Sequence, residues 1–107
     1  MEAALKALAD PRRRAIIALV RERELPAGEI AEQFDVTRPA ISQHLAVLRE
    51  AGLVSERRQG THRFYRARPA GATELRGWLE AFWEDGLARL GAAAEEEDRR
   101  ERVDTGS

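Results

Sequence analysis

The chain has 107 residues, 43% of them apolar, 35% charged and 6% aromatic, with a formal net charge of −1 and no cysteine. A chain of this length supports one domain that buries roughly 60–70% of its extended surface, without room for a second core or a large catalytic cleft. The lack of cysteine excludes disulfides, thiolate metal sites and cysteine nucleophiles; two histidines are too few for a multi-histidine cage; and with neither a signal peptide's apolar stretch nor the ~20-residue apolar run of a membrane span, the expected location is the cytoplasm.

Residues 2–9, EAALKALA, predict a short helix with Leu5 and Leu8 on one side. Asp10 is placed to cap a second helix and Pro11 to occupy its first position, where no N–H is required. That helix runs to about Arg23, with Ile16, Ile17, Leu19 and Val20 forming a broad apolar face. Leu25-Pro26 breaks it. A third helix, about Ala27–Phe34, packs through Ile30, Ala31 and Phe34. A tight turn at Asp35-Val36 follows, with Asp35 the candidate for a left-handed backbone. Thr37 then caps a fourth helix over 37–51, and Pro39 falls in its first turn.

Gly52 stops the fourth helix. The segments LVSERR and HRFYRAR alternate apolar and polar residues around Gln59-Gly60, predicting a two-stranded hairpin over about 53–58 and 62–68. Pro69 ends it, and a last long helix begins near Ala72. The predicted fold is mainly α with a small β-hairpin, a winged helix-turn-helix. Residues 1–94 are expected to form the domain, including dimerisation helices at about 2–9 and 72–94. Residues 95–107 form a charged tail expected to fray, although Glu95–Arg99, Glu96–Arg100 and Asp98–Arg102 are i,i+4 pairs worth ~0.3–0.5 kcal/mol each.

The charge is unevenly distributed. Residues 37–68 carry seven arginines against Glu50 and Glu56, net +5, while residues 1–36 are net −1 and residues 69–107 net −5. A basic centre between acidic flanks is a nucleic-acid signal that the whole-chain charge hides. Within that centre the fourth helix turns Ile41, Leu45 and Leu48 one way, with Ala40, Val47 and Ala51 on the adjoining flank. The opposite side holds Arg38, Ser42, Ala46 and Arg49, with Gln43 at its edge. Small residues in the middle of a face allow another body to approach closely. Ser and Gln can read base edges, Gln pairing with the N6 and N7 of adenine. Arg38 and the helix N-terminus suit a guanine or a phosphate. His44 lies beside the apolar stripe and is a candidate both for packing and for a phosphate contact. An ordinary solvated face would carry Glu and Lys pairs instead.

The hairpin tip, ERRQGTHR, gathers Arg57, Arg58, Thr61, His62 and Arg63 about a glycine turn and suits a minor groove or phosphate ridge. A charged edge strand that resists aggregation is the competing explanation. Phe64 is expected to pack under the wing, with Tyr65 pointing the other way toward a phosphate. On the last helix, Leu75, Trp78 and Phe82 are expected to face their own domain. Trp83, Leu87 and Leu90 are then left uncovered, which marks an interface with a second copy; the first helix, with Leu5 and Leu8, is the expected co-partner.

ALADPRRRAIIALV, LPAGEIAEQFDVTRPAISQHLAVLREAGLV and ERRQGTHRFYRARP together resemble the ArsR family of bacterial winged-helix repressors over roughly residues 4–83. The resemblance implies a homodimeric transcriptional repressor that binds an operator in double-stranded DNA and leaves it on a signal. It also implies that the helix over 37–51 reads the major groove, with Thr37, Arg38, Ser42, Gln43 and His44 as contacts. Metal-sensing members carry cysteine pairs on the helix reading GEIAEQF here, or Asp/His/Glu sets on the last helix. Neither set is present, so the chain is similar to the cysteine-free branch; no cofactor or metal is expected, and an inducing small molecule or protein is unspecified. A winged helix that binds only protein is the alternative function. An enzyme is not expected, since the sequence has no catalytic triad, metal motif or phosphate loop.

Overall fold

A computed structural model describes the backbone of residues 1–105 and the side chains of residues 1–91. The elements are α1 (Glu2–Leu8), α2 (Pro11–Glu22), β1 (Leu25–Pro26), α3 (Ala27–Gln33), α4 (Arg38–Glu50), β2 (Val54–Gln59), β3 (His62–Ala67) and α5 (Pro69–Thr105). By internal packing the chain divides into Met1–Leu75 and a second unit from Arg76. The side chains proposed to pair within 95–107, and residues 106 and 107 themselves, lie outside the described residues.

Local chemistry sets the helix ends of the first unit. Asp10 accepts a 2.8 Å hydrogen bond from the Arg12 amide at the start of α2, and Thr37 accepts one from the Ala40 amide at the start of α4. The carbonyls that α1 leaves unpaired at its C-terminus are met by the next helix. Arg13 donates to Ala7 at 2.6 Å and Lys6 at 3.0 Å, and Arg14 to Leu8 at 2.6 Å. Charged donors also oppose the negative end of the α1 dipole. The first two helices thereby become a braced pair.

The core lies where α2, α3 and α4 meet the sheet. Ile16, Val20, Ile30, Ile41, Leu45, Leu48 and Val54 are fully buried. Each such side chain contributes roughly 1.5–3 kcal/mol relative to its exposed state. The spacing of Ile41, Leu45 and Leu48 on α4 leaves its opposite face free.

α4 ends in a Schellman arrangement. The Gly52 amide bonds to the Arg49 carbonyl and the Leu53 amide to the Leu48 carbonyl, each at 3.0 Å, and Gly52 takes φ 75°. This reversal sends the chain directly into the wing.

Several expectations are corrected. The sheet has three strands in the order β1-β3-β2, all antiparallel. Leu25-Pro26, read as a simple helix breaker, pairs with Tyr65 and Phe64 of β3; proline is accommodated because β1 is an edge strand. Gln59 pairs with His62, so the tight turn is Gly60-Thr61, one residue later than expected, with Gly60 at φ 63°. Asp35 is not left-handed: among the described residues only glycines have positive φ, and the helix-turn-helix bend is made with Phe34 extended at φ −124°. The flank that adjoins the Ile41–Leu45–Leu48 stripe was expected to widen the buried face, but Val47 on it is 36% exposed. The last helix starts at Pro69, three residues before Ala72, its first turn using the position where proline is tolerated.

Tyr65 is also corrected. It is buried, 8% exposed, opposite Leu25 at 3%. Paired residues across an antiparallel ladder share a face, so the row Leu25–Tyr65–Glu56 faces the helices and the row Pro26–Phe64–Arg57 faces away. The expectation had the two faces of β3 interchanged, the consequence of reading a period-2 strand one residue out.

In the second unit, Phe82 was expected to be covered with Trp78 and is instead 60% exposed. Trp78, Leu79, Phe82, Trp83, Leu87 and Leu90 are all exposed, and the Trp78 and Phe82 rings stack at 5.3 Å between centroids. The uncovered apolar face is wider than the three residues anticipated. Among the described residues no helix is long and apolar enough to cross a membrane.

Candidate nucleic-acid interface

The exposed face of α4 and the wing enclose a cleft of about 300 Å³. Arg38, Ser42, Ala46 and Arg49 line it from α4, one helical turn apart in succession, and Thr61, His62 and Arg63 line it from the wing tip. Seven positions on either side of β2 in the sequence thus share one concavity. The small Ser42 and Ala46 keep its floor low. Gln43 is exposed beside it, and His44 is half-buried.

The remaining candidates fall elsewhere. Thr37 spends its hydroxyl oxygen on the α4 cap, as an acceptor at 3.3 Å, which leaves its O–H free to donate. Arg58 is exposed with no carboxylate partner among the described residues. Arg57 is on the face of the sheet directed away from α4. It is held by the Glu24 carboxylate at 2.6 Å and 3.1 Å, by Gln59 at 2.8 Å, and over the Phe64 ring at 4.8 Å from the centroid. The Arg57 hydrogen bond holds the Glu24 carboxyl below its usual range, and Glu24 raises Arg57 in turn. Phe64, expected under the wing, is half-buried beneath this guanidinium.

Sequence reasoning missed the role of Glu56. Its carboxylate bonds Arg49 of α4 and lies 3.7 Å from Arg63 of β3. It is only 14% exposed, between two arginines at 47% and 50%. One acid therefore ties α4 to the wing and fixes two guanidiniums along the cleft. The alternation Val54, Glu56, Arg58 on the helix-facing side of β2 was the available signal, since an acid on that side must meet a cation.

Such an arrangement can bind a polyanion and inspect its surface. Its donors are spread along a groove, whereas a catalytic centre converges on one atom, and among the described residues no group of three or more His, Asp or Glu side chains is placed to hold a metal ion. A helix-turn-helix whose second helix runs into a two-stranded wing defines the winged helix-turn-helix class.

The chain belongs to the ArsR family of bacterial transcriptional regulators. The family model described as "Bacterial regulatory protein, arsR family" matches residues 10–56. The HTH-type transcriptional regulator Rv2034 of Mycobacterium tuberculosis is 48% identical over 80 residues, 75% of each chain. The transcriptional repressor SdpR of Bacillus subtilis is 34% identical over 82 residues, 77% of this chain and 91% of that one. Among solved structures, the homodimeric winged helix-turn-helix DNA-binding domain of Mb0332 from Mycobacterium bovis is similar with a TM-score of 0.64 and 28% identity over 78% of each chain.

Proposed function

We propose that the protein is a cytoplasmic, homodimeric repressor that binds an inverted-repeat operator in double-stranded DNA. α4 enters the major groove, with Ser42 and Gln43 at base edges and Arg38 at a guanine or phosphate. Thr37, His44, Arg49 and the wing residues Arg57, Arg58, Thr61, His62 and Arg63 serve the backbone and adjacent groove. Its action is binding rather than catalysis. The observation that carries this reading is the cleft in which α4 and the wing tip present small and cationic residues together. Engagement of Arg57 by Glu24 ranks it below Arg58 as a phosphate ligand and gives it the added role of bracing the wing.

The second copy is supported by the exposed face of α5. Trp83 is 65% exposed, Leu87 49% and Leu90 67%. A stripe that meets its own symmetry mate satisfies both chains at once. Leu5 and Leu8 on α1, both half-buried, are proposed as further contacts to the second copy. The working unit is then residues 1–94, and two reading helices stand about one DNA turn apart, ~34–36 Å. The homodimeric state of the Mb0332 domain supports the same arrangement.

Sedimentation of wild type and Leu87→Glu, followed by operator binding, tests this reading. The wild type is expected to sediment as a dimer and bind. The variant is expected to sediment as a monomer and bind weakly, because a charge at the seam is costly without a partner and one helix reads only half a site. A monomeric wild type, or a variant that dimerises and binds normally, would place the seam elsewhere.

A further inference from the structure

A second cavity, of about 450 Å³, shares no lining residue with the cleft described above. Leu8 at the end of α1, Ile17 on α2 and Leu75 on α5 contribute to an apolar lining. Arg21, Arg66 and Arg68 also line it, and no carboxylate does. In a chain with 19 acidic residues and a net charge of −1, three arginines around an apolar hollow stand out.

None of the three is neutralised by a well-placed acid among the described residues. Arg21 approaches only its neighbour Glu22, at 3.5 Å with both side chains above 70% exposure, a contact of little worth in water. Arg68 donates to the neutral Gly52 carbonyl at 3.3 Å. Arg66 acts on Glu24 through space but makes no ion pair with it. An apolar cavity of several hundred Å³ with a few convergent polar groups is the usual form of a small-molecule site. Guanidinium forks match the two oxygens of a carboxylate.

We propose that this cavity binds a small amphipathic carboxylate, its apolar tail against Leu8, Ile17 and Leu75 and its head group among Arg21, Arg66 and Arg68. Three guanidiniums with no carboxylate in the lining, beside an apolar wall, complement a free organic acid with an apolar tail. The competing occupant is the acidic α5 of a second copy, since residues 69–107 are net −5 and Leu8 is also a proposed dimer contact. The position also suits regulation. The cavity joins α1 and the first turns of α5 to the base of β3, the strand that begins with His62 and Arg63. This regulatory half rests on the DNA-binding reading; the binding site itself does not.

Calorimetric titration of decanoate into the full chain without DNA tests the site, with decanol as the uncharged probe. Saturable binding of one decanoate per chain is expected. Decanol, or decanoate with Arg21→Gln or Arg66→Gln, should bind roughly tenfold or more weakly, the loss of one charge-assisted hydrogen bond. Ala72 also lines the cavity, and Ala72→Phe should fill it and abolish binding. Both arginines are exposed, and thermal melts establish that each variant folds. No saturation, equal binding of decanol, or unchanged binding by the arginine variants overturns the proposal. Binding seen only when Leu87→Glu separates the chains overturns it in favour of a second copy in the cavity. Repeating the operator titration with decanoate present then tests regulation: unchanged operator affinity removes the regulatory half, whereas failure to bind any operator counts against the DNA reading and leaves the site standing.

Discussion

Glu24 and Arg57, 33 residues apart, meet through a two-point ion pair with a shortest contact of 2.6 Å. Glu24 immediately precedes β1 and Arg57 is in the middle of β2, so the pair clamps the outer face of the three-stranded sheet. Phe64 lies under the guanidinium and adds a cation–π contact. The clamp explains why a basic residue at the wing is not simply a ligand for phosphate.

The clamp has a pH signature. The Arg57 hydrogen bond holds the Glu24 carboxyl below its ordinary value of 4.5. A carboxylate with a lowered folded-state pKa contributes stability that is fully present above the ordinary value. That contribution is lost as pH falls through the lowered one. Glu24→Gln is therefore expected to melt below wild type at neutral pH, with the difference shrinking as pH drops below 4.5. Paired thermal melts across that range check it; a difference independent of pH would remove Glu24 ionisation from the account.

Glu56 is expected to trade affinity for order. Removing its charge in Glu56→Gln frees Arg49 and Arg63 from their shared partner. Non-specific DNA affinity should rise and its salt dependence steepen, by up to ~0.9 in log–log slope per phosphate gained. Discrimination between operator and scrambled duplex should fall, because the reading helix and the wing lose their link. Titrations of both duplexes over a salt series measure all three quantities, and undiminished discrimination would show that Glu56 positions nothing.

Two glycines in one helix should respond oppositely to alanine. A Cβ on Gly71 would run into the Gly52 carbonyl oxygen, while one on Gly77 meets nothing within 4 Å. Gly71→Ala is expected to destabilise by ~1–3 kcal/mol, the usual cost of overpacking. Gly77→Ala should stabilise by ~0.4–1 kcal/mol by restricting the unfolded chain. Urea denaturation of both variants decides it. Equal effects would mean that the first turn of α5 does not rest on the end of α4.

Legibility in the sequence followed the range of the interactions. Asp10, Thr37 and Gly52 act within a turn of their own position, and each was readable as a cap or a stop. The α4 faces were readable because Ile41, Leu45 and Leu48 keep helical spacing. Leu25-Pro26 was not readable as a strand, because a two-residue strand exists only through Tyr65 and Phe64, far along the chain. Tyr65 was assigned to the wrong face because the period-2 alternation of β3 does not by itself say which row faces in, whereas register with the buried Leu25 decides it. The arginines of the PRRR segment gave no sign that Arg13 and Arg14 would brace α1, and strand alternation could signal that Glu56 meets a cation but not that Arg49 and Arg63 would share it. Both depend on packing that only the folded chain supplies.

In the proposed mode of binding, α4 reads sequence while the wing grips the backbone. Quantitative binding of wild type, Gln43→Ala and Arg58→Ala to a library of single-base operator variants tests it most directly. Gln43→Ala is expected to lose preference at one position in each half-site, by roughly 1–3 kcal/mol. Arg58→Ala should weaken all members about equally and lower the salt slope by about 0.9 per lost phosphate contact. A Gln43→Ala profile identical to wild type, or wild-type binding that neither salt nor sequence alters, would contradict the claim and leave a winged helix that serves protein contacts alone.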